Sequence, residues 1–129
     1  MKKRLGPYAH FGIIDEIDID KDYSQLNGDF QGCLAKYQCV DVPDMIINGW
    51  WDSLTKMKTY FHTIQRPATA LARWGVTLIP PESLDTFIDI VLHHTNEYFH
   101  KYCEDKITLL LDLLARAKQE EKYVIHYGV

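Results

Sequence analysis

His93, Glu97, His100 and Glu104 follow one another at spacings of four, three and four, so a helix would carry all four potential metal ligands on one face. Imidazole and carboxylate together suit zinc, iron or manganese. Glu97-Tyr98-Phe99-His100 also has the Glu-x-x-His spacing from which two-metal carboxylate sites are built in helical bundles. Such a site needs a second Glu-x-x-His and two further Glu on facing helices, and the chain has no second copy. The competing reading is a solvated face whose His and Glu pair along the helix.

Asp18-Ile19-Asp20-Lys21-Asp22-Tyr23-Ser24, with Asp29 at the twelfth place, spaces oxygen side chains as a calcium-binding EF-hand loop does. Tyr23 stands where such a loop needs glycine for its sharp turn, and Asp29 is shorter than the usual bidentate Glu. An acidic surface loop is the simpler expectation.

The tryptophans offer a third group. Trp50 falls on an apolar stripe and is expected in the core. Trp51 lies at the edge of that stripe, and Trp74 sits beside Arg73 near a helix end. Trp51, Arg73 and Trp74 are therefore the candidate protein-contact residues, since Trp and Arg dominate interface energetics. The alternative is that both tryptophans cap the core.

Covalent catalysis finds no support. Ser24, Ser53 and Ser83 lie in no Gly-x-Ser-x-Gly turn. His100 and Cys103 are neighbours on one predicted helix whose thiol faces the apolar side, a setting that leaves it inert. There is no glycine-rich phosphate loop. Cys33, Cys39 and Cys103 are odd in number and form no Cys-x-x-Cys pair, so reduced thiols are expected, without a disulfide framework or a zinc site. No catalytic residue is assigned.

The elements that must position these groups read as follows. Partial alternation over residues 8 to 19 predicts a short strand. Residues 20 to 32 are turn-rich, and Leu34 to Val40 fit strand or helix equally. A helix is predicted from Asp44 to Gln65, opened by Pro43, with Ile47, Trp50, Leu54, Met57, Phe61 and Ile64 as its stripe and Asn48-Gly49 as its weak point. A short helix is predicted over Ala68 to Trp74, capped by Gly75, then an extended Val76 to Ile79.

Pro81 opens the main predicted element, with Leu84, Ile88, Val91, Thr95, Tyr98 and Tyr102 at four-and-three spacing. Cys103, Ile107, Leu110, Leu114 and Ala117 continue the stripe one residue out of register, about 100° around the axis. An unbroken rod to Glu121 would be about 60 Å long. A compact domain of this length is roughly 36 Å across. The helix must therefore bend or break near residues 103–106, or bury Leu110, Leu113 and Leu114 against a second copy of the chain. The tail from Tyr123 alternates, and either adds a strand beside residues 8 to 19 or frays.

The expected fold is mainly α: a small helical bundle with a long C-terminal amphipathic helix and an irregular N-terminal third holding one or two short strands. At 129 residues, 47% hydrophobic and 25% charged, residues 1–129 read as one globular domain. A net charge of −4 argues against nucleic-acid binding, the basic Lys2-Lys3-Arg4 tail notwithstanding. No apolar run reaches membrane-span length and no secretory signal is visible, so a cytoplasmic location is expected. The leading functional expectation is a non-enzymatic, acidic intracellular protein acting through a protein partner as regulator, inhibitor or immunity-type binder, with a homodimer as a further possibility and no cofactor. The alternative is a metal-binding protein or metal-dependent enzyme using the His/Glu face with a divalent metal. A third reading is a small-molecule pocket lined by Tyr8, His10, Tyr37 or His126.

Overall fold

The computed structural model describes residues 7–128 and centres on a six-stranded antiparallel sheet. The chain runs β1 (Tyr8–Ile14), α1 (Phe30–Lys36), β2 (Val40–Pro43), α2 (Asp44–Asn48), α3 (Trp51–Leu54), β3 (Lys58–Phe61), β4 (Pro67–Thr69) and β5 (Val76–Ile79). A 3-10 turn (Pro81–Ser83) leads into α4 (Leu84–His94), α5 (Glu97–Tyr102), α6 (Glu104–Gln119) and β6 (Tyr123–Tyr127). Strand order is β2-β1-β6-β5-β3-β4. The Lys2-Lys3-Arg4 tail lies outside the described residues.

The sheet overturns the helical-bundle expectation. β6 pairs with β1 on one side and β5 on the other, with Phe11 opposite His126 and Thr77 opposite His126. Both faces of the sheet are covered. Ala9, Phe11, Val42, Ile79 and Val124 pack with α4 and α6 in the larger core. Ile14, Val76, Leu78, Ile125 and Tyr127 point the other way, under Tyr23, Tyr37 and the partly buried α1. Alternation along each strand divides the two layers.

The predicted Asp44–Gln65 helix is three elements. Ile47, Trp50, Leu54 and Met57 are buried as its stripe required. They reach the core from two short helices with Gly49 and Trp50 between them, however, and Lys58–Phe61 pairs with β4 and β5. Lys-Thr-Tyr-Phe is rich in strand formers, and tertiary pairing decides the matter. The predicted Ala68–Trp74 helix is likewise absent. Its start is edge strand β4, where Pro67 is tolerated. Gly75 caps no helix; its carbonyl accepts the Gly128 N–H at 2.7 Å.

The long helix breaks twice. Thr95 leaves helical geometry, with its hydroxyl donating to the Val91 carbonyl at 2.6 Å and accepting the buried Trp50 indole N–H at 2.9 Å. Asn96 then caps α5, accepting the Tyr98 N–H at 2.7 Å. The second break is at Cys103. Tyr98 and Tyr102 are exposed as a result, while Cys103, Ile107, Leu110, Leu114 and Ala117 are buried. Lys118 near the end of α6 pairs with Asp85 at the start of α4, so the two helices lie antiparallel. Leu110, Leu113 and Leu114 are covered by their own chain, which removes the ground for a homodimer. No helix among the described residues is long and apolar enough to cross a membrane.

Candidate protein-interaction surface

Charge is distributed unevenly on this fold. Three of the fourteen Lys and Arg precede the described residues, so the folded body carries eighteen carboxylates against eleven basic groups. Six carboxylates form ion pairs: Asp15 and Glu120 with Lys122, Asp41 with Lys106, Asp44 with Arg73, Asp85 with Lys118, and Asp89 with His93. The other twelve have no ion-pair partner among the described residues.

The densest group is in the loop after β1. Residues 15–29 hold Asp15, Glu16, Asp18, Asp20, Asp22 and Asp29, all exposed, against the one cation Lys21. This loop is anchored. Tyr23 is buried; its N–H donates to the His62 carbonyl at 2.7 Å and its hydroxyl accepts the Asp18 N–H at 2.9 Å. Gln65 donates to the Ile19 carbonyl at 2.8 Å. Asp18 accepts the Asp20 N–H at 3.0 Å, and Asp22 accepts the Ser24 N–H at 2.9 Å. The Ser24 hydroxyl and N–H hold the Asp22 carboxyl below the usual carboxylate range. Short side chains bonding their own backbone thus fix the path of the loop and leave carboxylate oxygens facing water. These contacts also account for the EF-hand-like spacing: Tyr23, in the glycine position, serves as the buried anchor.

Clefts border the loop on more than one side. One of about 280 Å³ lies between it and α1, lined by Asp15, Glu16, Asp18, Lys21, Lys36 and Tyr37 among others. Another, about 250 Å³, is lined by Ser24, Leu26, Phe30, His62 and Trp74 among others. Trp74 is 80% exposed and Ile19, within the acidic run, 57%. An exposed indole thus stands at the end of the acidic loop.

The predicted contact residues are partly brought together. The Arg73 guanidinium lies 4.6 Å from the Trp51 ring centroid, and its nitrogens reach Asp44 at 3.3 Å and Asn48 at 2.7 Å. Arg73 and Trp51 are therefore engaged with each other, which leaves Trp74 as the projecting member. The predicted metal face is not assembled. The break at Thr95 puts His93 on α4, Glu97 and His100 on α5 and Glu104 on α6. His93 Nδ1 sits 2.9 Å from Asp89 instead. Among the described residues no group of three or more His, Cys, Asp or Glu is placed to hold a metal ion. The two histidines of the third reading have different surroundings. His126 is fully buried against Phe11, with its ring centroid 4.9 Å away, whereas His10 meets Phe30 at 5.6 Å.

One solved structure carries this fold across nearly its whole length. The Neisseria DNA mimic protein DMP12 matches with a TM-score of 0.53 over 94% of this chain and 99% of its own, at 15% sequence identity. At that identity the likeness is one of fold. No family model and no curated protein matches the sequence. The likeness corrects the expectation about partners. A protein named as a DNA mimic has this fold, so negative charge alone does not set a chain of this fold apart from nucleic-acid systems.

Sequence reasoning expected an acidic surface loop here but did not count it among the contact residues. The signal was present: six carboxylates and one lysine within fifteen residues.

Proposed function

We propose that the protein is a non-enzymatic, cytoplasmic, single-domain binder that occupies the DNA-binding surface of a basic protein. The anchored run Glu16, Asp18, Asp20 and Asp22 carries this reading, because it presents unneutralised carboxylates along a backbone whose path is fixed. Magnitudes favour a local array over whole-molecule mimicry. Duplex DNA carries one charge per about 1.7 Å of axis. A body with a net seven negative charges over roughly 36 Å has about a third of that density. Within the run, Glu16, Asp18, Asp20 and Asp22 stand at every second residue, at most about 7 Å apart along the chain, comparable with successive phosphates of one DNA strand. Complementary charge steers such a partner onto the loop. Trp74 supplies the exposed apolar anchor beside it. The shared fold with a DNA mimic protein supports the reading.

The test begins with proteins held on duplex-DNA cellulose from an extract of the source cells. Adding the chain should release one of them, and the released protein should co-elute with the chain at a fixed ratio. A variant carrying Glu16→Gln, Asp18→Asn, Asp20→Asn and Asp22→Asn keeps the backbone-capping oxygens and should release none. Release of nothing by the native chain, or equal release by the variant, contradicts the reading.

A further inference from the structure

Helix α1 ends in a turn that brings two cysteines together. Gln38 adopts a left-handed conformation at φ 50°. Its N–H donates to the Ala35 carbonyl at 3.2 Å, and the Cys39 N–H donates to the Leu34 carbonyl at 3.0 Å. These two bonds define a Schellman motif, in which the residue after the left-handed one folds back onto the last turns of its helix. In such a motif that residue packs on the two helical positions at and just before the carbonyl it bonds; here they are Leu34 and Cys33. Both cysteines pack on the same core beneath the sheet, in contact with a group that includes Tyr37 and Tyr127. Both are unbridged and half-buried, whereas Cys103 is buried in the other core.

The two thiols differ in setting. Cys33 lines an open cleft of about 260 Å³ with Lys21 and Lys36, which favours approach of an anionic oxidant. Cys39 lies deeper: a β-carbon added at Gly12 would stand 2.7 Å from its sulfur. Burial, reinforced by Cys33, pushes the Cys39 thiol up to about 12.

We propose that Cys33 and Cys39 are a redox pair that forms a reversible intramolecular disulfide across the end of α1. With glutathione disulfide as oxidant, the Cys33 thiolate attacks one glutathione sulfur, breaking its S–S bond and expelling one glutathione thiolate. The Cys39 thiol then loses its proton to water and attacks the Cys33 sulfur, expelling the second glutathione thiolate. The protein loses two protons and two electrons, and the oxidant leaves as two molecules of glutathione. Cys39 acts second because so little of it is thiolate near neutral pH. The bond staples the turn that joins α1 to β2. This proposal is independent of the DNA-mimic reading.

The full chain, reduced and freed of reductant, is exposed to glutathione disulfide, acid-quenched, alkylated and digested with trypsin without reduction. Trypsin cuts after Lys36, between the two cysteines, so a bridge keeps the two flanking peptides joined until reductant is added. The expected product has those peptides joined, two fewer alkylated thiols and Cys103 still alkylated, with the near-ultraviolet dichroism of the aromatic residues unchanged. Cys39→Ser should stop with one glutathione on Cys33. The proposal is overturned if the peptides separate without reductant, whether alkylated or each carrying its own glutathione. A bridge to Cys103 or between chains, or one that forms only after the native dichroism is lost, overturns it equally.

Discussion

The Trp50 indole donates its N–H to the Thr95 hydroxyl at 2.9 Å, inside the core, forty-five residues away in sequence. That bond ties the end of α4 to the segment between α2 and α3, and it explains why the helix stops where neither Gly nor Pro is present. Thr95→Val keeps the shape but strips the indole of its acceptor. An unsatisfied buried donor costs about 1–3 kcal/mol. Thermal unfolding should shift down by about 4 °C for each kcal/mol lost. A variant as stable as the parent in denaturant titration would show that the bond is not what sets the break.

Trp50 and Trp74 should respond oppositely to truncation. Trp50 is fully buried and Trp74 is 80% exposed. Trp50→Ala should cost about 3–5 kcal/mol. Trp74→Ala should stay within about 0.5 kcal/mol, and it should remove most of the acrylamide-quenchable fluorescence. It should also weaken release of the partner from DNA cellulose. A large stability loss at Trp74, or unchanged quenching, would place that indole in the core and not on the contact surface.

Acid should destabilise the fold before the carboxylates titrate. Burial, with a smaller contribution from His10, lowers His126 from 6.5 to about 3, so it stays neutral in the folded protein. The unfolded chain takes up that proton near its ordinary value. Between those two values the unfolded state binds more protons, so stability rises with pH there. The contribution is complete above 6.5 and is lost progressively as the pH falls toward 3. Burial lowers His10 as well, with the same sign. Urea titrations at about pH 7.5 and 5 should show the parent losing stability and His126→Gln losing less of it. Equal losses in both proteins would rule out His126 as the source.

Loop anchoring should matter separately from loop charge. Tyr23→Phe removes the hydroxyl that accepts the Asp18 N–H and leaves every carboxylate in place. Release of the partner should weaken while net charge is unchanged. Hydrogen exchange at the Asp18 amide should quicken. If release is unaffected once that amide has lost its protection, a fixed backbone path is unnecessary.

Several elements were legible in the sequence and others were not, for identifiable reasons. Val76–Ile79 and the alternating tail are strands because β-branched and alternating residues there meet no competing signal. The burial of Cys103, Ile107, Leu110, Leu114 and Ala117 follows from helical spacing alone. The Asp44–Gln65 helix failed because a three-and-four stripe can also be produced by two short helices and a strand folded onto one core. The break at Thr95 was visible only as Asn96 followed by Glu97, a capping signature in the middle of an otherwise continuous stripe. The His93–Glu104 face depended on that continuity and fell with it. Trp74 was picked out by residue type and the charge of the acidic loop was countable in the sequence, while its anchoring by Tyr23 and the pairing of Asp15 with Lys122 required coordinates.

The central claim, that the acidic loop takes the place of DNA, is tested most directly by exclusion. The protein released from DNA cellulose is mixed with this chain and with labelled duplex DNA, and the species are resolved by sedimentation. The account predicts two binary complexes that exchange as either competitor is titrated, with affinity for the chain falling as salt rises. A ternary complex in which DNA and this chain sit together on one molecule of the partner would contradict it.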